Sequence, residues 1–252
     1  MKQTRKQSAK YDPAKNDGMI KISKFLADCG IASRRASEEL VKSGRVFVNG
    51  KKMVNVAKRI SPSCDKVEFN GKPVKPSAHV YYLLNKPAGY TSTTQDRHAK
   101  KIVISLVPRI PAVWPVGRLD QDTEGLMILT NDGELTQKLT HPKYEREKEY
   151  HIITNFKLAR QEIEKIKNGI RLEDGFIKPD RFEETAGGGY KIIIHSGKKR
   201  VVRRIIERIG KSVVKLKRVR IDFLTLEGVD TGKWRKLSDT EIKCLSRTPF
   251  PR

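Results

Sequence analysis

The chain has 252 residues, with 53 lysines and arginines against 29 aspartates and glutamates, a formal net charge of +24. That length suits one large or two modest domains with a real core, and the basic excess points to a polyanion bound by phosphate neutralisation and counterion release. A membrane is excluded as that polyanion because no long apolar span or secretory segment is present and the basic residues are dispersed rather than gathered on one amphipathic helix.

Cys29, Cys64 and Cys244 are far apart and odd in number, the pattern of reduced, cytoplasmic thiols rather than of a zinc ribbon. His79, His98, His141, His151 and His195 show no ligand spacing, so no metal is expected. Phosphate-binding and dinucleotide fingerprints are missing too, and no cofactor is expected.

Taken in chain order, residues 1–20 carry Lys2, Arg5, Lys6, Lys10 and Lys15 together with Asp12 and Asp17, and read as a solvated, disordered basic arm. Residues 21–75 form a compact unit. Ile22, Phe25, Leu26 and Cys29 make one helical stripe closed by Gly30. Ser33 caps a second helix with Ala36, Leu40 and Val41 inward and Gly44 at its end. Val46-Phe47-Val48-Asn49-Gly50 gives a strand and a hairpin turn. Lys24, Arg34, Arg35, Lys42 and Arg45 lie on the polar side, where any single one is an ordinary solvated charge.

Gly71 to Ser77 reads as a short connector. Residues 80–245 then alternate strands and helices, a mixed α+β domain with a largely antiparallel sheet, followed by a tail over 246–252. Val80 to Leu84 is a buried strand, Asn85-Lys86-Pro87-Ala88-Gly89 the loop after it, and Thr93 to Lys100 an exposed polar loop carrying His98. The spacing predicts a helix over 135–139, a strand over 150–153, a helix over 158–168 closed by Gly169, and a strand over 191–194. Val202, Ile205, Ile206 and Ile209 mark an amphipathic helix ending at Gly210, with Arg200, Arg203, Arg204 and Arg208 on its other side. A basic helix face of this kind is sufficient for nucleic acid binding without catalysis.

The most informative segment is Gly117-Arg118-Leu119-Asp120-Gln121-Asp122-Thr123-Glu124-Gly125-Leu126, continuing to Thr130-Asn131-Asp132-Gly133. Asp120 lies between two apolar runs, Val113 to Val116 and Leu126 to Leu129, where a carboxylate is partly desolvated. On spacing alone it either caps a turn, pairs with Arg118, or has a task.

Arg118-Leu119-Asp120, Thr123, Gly125-Leu126 and Thr130 to Gly133 closely resemble the catalytic signature of pseudouridine synthases of the RsuA/RluB type. The resemblance implies that Asp120 is the catalytic residue. It extends to Asn-Lys-Pro-x-Gly at residues 85–89, where the lysine is structural, and to Lys148-Glu149-Tyr150, implying that Tyr150 stacks on the target base. In the stretch matching Ser196 to Ile206, the family supplies an arginine that ion-pairs with the catalytic aspartate. Counting places that role on Arg203, with Arg204 its rival, although Lys198, Lys199 and Val201 depart from the family's arginine, asparagine and glutamine. The closing Leu224-Thr225-Leu226-Glu227-Gly228 and Gly232 to Leu237 match as well, implying that Leu224 walls the base pocket; a core leucine fits equally.

Residues Lys24 to Ala27, Gly30 to Arg35 and Gly44 to Gly50 look like the alpha-L RNA-binding module, which implies phosphate contacts by Arg34, Arg35 and Arg45. Arg200 and Arg204 join them as RNA-binding candidates, and Arg118 joins the substrate site. The implied reaction is isomerisation of one uridine to pseudouridine on a flipped base, with Asp120 as nucleophile or general base. The implied partner is ribosomal RNA or a ribosomal assembly particle bound by a monomer; the run Thr140 to Tyr144 and the basic arm point to the large subunit. The rivals are a non-catalytic assembly factor and a uracil-releasing glycosidase.

Overall fold

A computed structural model describes residues 18–94 and 100–247. The chain divides between Ser77 and Ala78 into two units; residues 1–17 of the arm expected over 1–20, residues 248–252 of the tail expected over 246–252, and His98 lie outside the described residues, whereas Ile20 belongs to a strand and Ser246 to a helix.

The first unit contains β1 (Ile20–Lys21), α1 (Ile22–Asp28), α2 (Arg34–Lys42), β2 (Val46–Val48), β3 (Lys51–Met53), β4 (Arg59–Ile60), β5 (Val67–Phe69) and β6 (Lys72–Pro73). The apolar stripe of α1 packs with Val41, Val46, Val48, Ile60 and Val67 into a small core. Ser33 caps α2 by accepting from the Ala36 N–H at 3.3 Å. Asn49 and Gly50, both at positive φ, make the turn from β2 into β3. Two expectations are corrected. The inward face of α2 is Ser37 and Val41, whereas Ala36 is exposed, because the helix is turned with the hydroxyl of Ser37 donating to the Ala32 carbonyl at 3.3 Å. The stretch 71–77 is not a connector. Lys72 and Pro73 pair with β5, and the N–H of Ser77 donates to Asp28 O at 3.0 Å.

The second unit contains β7 (Tyr81–Lys86), β8 (Trp114–Pro115), β9 (Glu124–Thr130), α3 (Gly133–Thr140), β10 (Lys148–Thr154), α4 (Arg160–Asn168), β11 (Ile170–Leu172), β12 (Gly175–Ile177), β13 (Arg181–Glu184), β14 (Tyr190–Ile194), α5 (Val201–Glu207), β15 (Val213–Ile221), β16 (Leu224–Thr225), β17 (Trp234–Lys236) and α6 (Asp239–Ser246). Nine strands form one sheet in the order β13-β14-β10-β15-β9-β7-β17, with β16 on β15 and β8 on β9; β11 and β12 form a separate hairpin. All pairs in the large sheet are antiparallel except β15 with β9.

The central strands β7 and β9 read as continuous apolar runs because both faces are covered. Tyr82, Leu84, Met127 and Leu129 face one core with Ile166, Ile205 and Ile206 of α4 and α5. Leu83, Leu126 and Ile128 face a second core with Leu135, Leu139 and Leu245 of α3 and α6. Further out, β10 alternates buried Tyr150 and Ile152 with exposed His151 and Ile153, so one face of that part of the sheet is open.

Candidate active site

The site is built where β9 and β15 run in parallel, with Gly125 opposite Arg218. Gly125 has a φ of 106°, and a Cβ there would strike the Arg218 backbone, so only glycine allows the two strands to approach. This places the loop before β9, which carries Asp120, beside β15 and hence beside Tyr150 on the neighbouring β10.

The main chain of that loop is held from the end of β7, whose last residues Asn85 and Lys86 pair with β9 rather than opening the expected loop. Lys86, fully buried, donates from Nζ to the carbonyls of Pro87 (3.1 Å), Asp120 (3.2 Å), Gln121 (3.2 Å) and Thr123 (2.7 Å). Burial pulls its ammonium down to about 8, against the opposing pull of Asp122, Glu124 and Asp120. The hydroxyl of Ser92 donates to Leu119 O at 2.6 Å and accepts from Leu119 N at 3.1 Å. The backbone at Asp120 is therefore fixed on both sides, while its half-buried carboxylate accepts no hydrogen bond and joins no ion pair among the described residues.

Asp120 opens into a cleft of about 280 Å³ whose lining includes Arg118, Tyr150, Arg200, Leu216, Arg218 and Ile221. That volume lies near the lower end of small-molecule pockets. Tyr150 is a buried wall of the cleft, paired across the sheet with Ile192 and Arg218. Arg118 is exposed at the rim.

Three expectations about the site are corrected. Arg203 does not lie on the solvent side of α5: it is buried with Val202, Ile205 and Ile206, because its guanidinium finds acceptors inside. Nor does it pair with Asp120; its NH2 group meets Asp122 Oδ2 at 2.9 Å and its NH1 donates to Val213 O at 3.1 Å. The rival Arg204 is ion-paired with Asp174, on the β11–β12 hairpin turn. Leu224 is absent from the cleft wall. It packs with Leu83, Leu126 and Leu245 in the second core, and its sheet partner Ile221 lines the cleft instead.

Of the remaining basic residues, Arg200 sits at positive φ at the start of α5 and reaches Glu207 at 3.5 Å. In the first unit Arg34 and Arg35 are exposed on the opening turn of α2. Arg45 is restrained, its Nε donating to Asn70 Oδ1 at 2.9 Å and its guanidinium 5.1 Å from the Phe69 ring centroid.

Two cleft residues had no role in the sequence reading. Arg218, buried on β15, donates from Nε to Leu126 O at 2.8 Å and keeps a buried NH2 group without a partner. Lys148 donates from Nζ to Arg146 O (2.9 Å) and His195 O (3.4 Å). Its ammonium is pulled down to about 8 by burial, then by the charge of Arg218. Lys148 stood in the Lys148-Glu149-Tyr150 motif without a role of its own, and the signal for Arg218 was its place two after Leu216 on one strand face. Among the described residues no group of three His, Cys, Asp or Glu side chains is arranged to hold a metal, and no helix is long and apolar enough to cross a membrane.

A carboxylate and a tyrosine ring thus line one cleft, floored by cations, on a mixed nine-stranded sheet. The chain belongs to the RNA pseudouridylate synthase family, whose model matches residues 80–208, and it carries an S4 domain at residues 20–63. It is similar, at 42% identity over 90% of this chain and 96% of the other, to the ribosomal large subunit pseudouridine synthase B of Bacillus subtilis (strain 168). An uncharacterized RNA pseudouridine synthase of Aquifex aeolicus (strain VF5) is 41% identical over 90% of this chain and 93% of the relative. A solved pseudouridylate synthase superposes with a TM-score of 0.65 at 26% identity, covering 90% of this chain and 99% of its own.

Proposed function

We propose that this enzyme isomerises a specific uridine of ribosomal RNA to pseudouridine, in the large subunit, with Asp120 as its catalytic residue. The observation that carries this reading is the carboxylate of Asp120, fixed in its backbone, free of partners, and facing a cleft walled by Tyr150. The similarity to a Bacillus enzyme named for the large subunit supports that choice of RNA.

The reaction requires that the bond from ribose C1′ to uracil N1 break, that C1′ rejoin through C5, and that the C5 proton leave as N1 gains one. Nothing is consumed. The target base leaves its stack first, and stacking on Tyr150 offsets part of that cost, about 1–3 kcal/mol per base in general. Asp120 then acts on the exposed nucleoside as nucleophile or general base. Lys148 and Arg218 supply positive charge to the cleft floor, and Arg118 and Arg200 to its lining. Arg34, Arg35 and Arg45 take phosphates of the same RNA as positioning contacts.

The test is pseudouridine mapping of ribosomal RNA from cells with and without the protein. One large-subunit site should vanish, returning with the wild-type chain but not with Asp120→Asn. That substitution should cost at least about a thousandfold in turnover while leaving RNA affinity near wild type. An unchanged map would move the assignment to a non-catalytic assembly factor, and turnover by Asp120→Asn would remove the catalytic role.

A further inference from the structure

We infer that Arg218 reads the target base: its guanidinium, in the floor of the cleft, donates to a ring carbonyl of the flipped uracil before the ring turns over and to the other carbonyl afterwards. The inference rests on the pseudouridine reading of this cleft.

Arg218 is 3% exposed and lines the cleft. Of its guanidinium nitrogens only Nε has an acceptor among the described residues, Leu126 O at 2.8 Å, and NH2 is sealed from water with no partner. A buried donor left unused carries a desolvation cost that an entering acceptor removes. The bond to Leu126 also ties the guanidinium to β9, the strand entered from the loop of Asp120. Its place beside the base follows from the register. Arg218 is the direct cross-strand partner of Tyr150, and side chains so paired stand on one face of the sheet with Cβ atoms about 5 Å apart. A base lying on the Tyr150 ring therefore turns an edge to Arg218.

The chemistry of that edge decides the acceptor. A guanidinium only donates, and it keeps its proton. Uracil offers carbonyls at C2 and C4 on either side of its N3–H. Phosphates are served instead by Arg118, Lys199 and Arg200, which are exposed around the cleft. Rejoining through C5 requires the detached ring to turn. N1 is bonded to C2 and C6, and C5 to C4 and C6, so a turn about the line from C6 to N3 brings C5 to the place of N1. The same turn brings O4 to the place of O2. A fixed donor thus holds the ring in both orientations without moving. Cytosine, with an amine at C4, sets a donor against the guanidinium in one of the two.

The experiment uses the full chain and a ribosomal RNA segment assembled by ligation around the mapped uridine, with its O2 or its O4 exchanged for sulfur, a poor acceptor. Either exchange should slow single-turnover formation of pseudouridine by the wild-type chain by about tenfold. Arg218→Met, slower by about a hundredfold on the all-oxygen RNA, should be insensitive to sulfur within about twofold, because both changes remove the same bond. Arg218→Lys, which keeps the charge and loses the fork, should be insensitive as well, and it decides the matter if the thermal midpoint shows that the methionine variant does not fold. Equal sulfur effects in wild type and in these variants would overturn the inference. A salt slope of binding lower by about one in Arg218→Met, with wild type indifferent to sulfur, would assign the guanidinium to a phosphate and overturn it too. If the wild-type chain forms no pseudouridine on the all-oxygen RNA, the reading of the cleft fails first and the inference falls with it.

Discussion

Arg218 and Arg220 are two residues apart on one strand and live in opposite surroundings. The register between β10 and β15 shifts between Glu149 and Tyr150, so that Tyr150 faces Arg218 while Glu149 faces Arg220, with Val219 the extra residue. That bulge turns the usual two-residue period and sends the arginines to opposite faces. On the cleft side, the side chains of Arg218 and Lys148 donate only to backbone carbonyls among the described residues. On the open side, Arg220 meets Glu149 at 2.9 Å and Glu147 at 3.3 Å, and Lys191 meets Glu183 at 3.1 Å. One face neutralises its cations and the other leaves them charged. A backbone carbonyl satisfies the hydrogen bonds of a cation without cancelling its charge, so the cleft keeps a positive floor for a polyanion.

The comparison breaks most visibly if both arginines are replaced in turn by methionine. Arg218→Met should lower turnover by about a hundredfold, because the cleft loses its deepest cation. Its thermal midpoint should move little, since exchanging an uncompensated buried charge for an apolar side chain is often close to neutral. Arg220→Met should leave turnover close to wild type, because Glu149 keeps Lys191 at 3.9 Å and His151 at 3.6 Å as partners. Equal losses in turnover from the two variants would show that the faces do not differ in function.

Much of this arrangement was legible in the sequence, and the reasons are particular. The buried strands β7 and β9 announced themselves because apolar residues on both faces leave an unbroken run. The loop at Asp120 and the strand at Tyr150 followed from quoted motifs. What escaped notice depends on long-range geometry. Arg203 seemed to share the outer face of α5 with Arg204, since a helical wheel cannot register an acceptor 81 positions earlier in the chain. The side of Arg220 depends on the bulge at Val219, which leaves no local composition signal. Leu224 fitted both wall and core, and only the packing of α3 and α6 against β7, β9 and β16 decides for the core.

A smaller effect is expected in the first unit, where the cations face water. Arg34 and Arg35 occupy the first turn of α2, with no acidic residue there to favour the helix dipole. Cations at that end are unfavourable for the helix, so Arg34→Ala/Arg35→Ala should raise the thermal midpoint slightly. The same variant should weaken RNA binding by about tenfold and flatten its salt dependence by a slope of about two, one phosphate for each arginine. Here stability and binding move in opposite directions, whereas at Arg218 turnover falls with stability almost unmoved. A salt slope equal to wild type would exclude both arginines from the RNA interface.

The smallest expected effect is a pH dependence of the cleft floor. Burial, then Arg218, pulls Lys148 down to about 8, and burial pulls Lys86 down to a similar value beneath the loop. Below about pH 8 each lysine is charged in the folded and the unfolded chain, and the cost of burying that charge is borne in full. Between about 8 and the ordinary lysine value of 10.5 the folded chain has released a proton that the unfolded chain retains. The contribution of Lys148 to folding stability therefore improves as pH rises through that window. Its contribution to RNA binding goes the other way, because the cleft loses a positive charge over the same range. RNA affinity should fall by about threefold to tenfold from about pH 7 to about pH 9, while the thermal midpoint does not fall in step. Lys148→Met should start weaker and keep only the share of the pH response that Lys86 supplies. An identical pH response in wild type and Lys148→Met would mean that the charge on the floor of the cleft belongs to Arg218 alone.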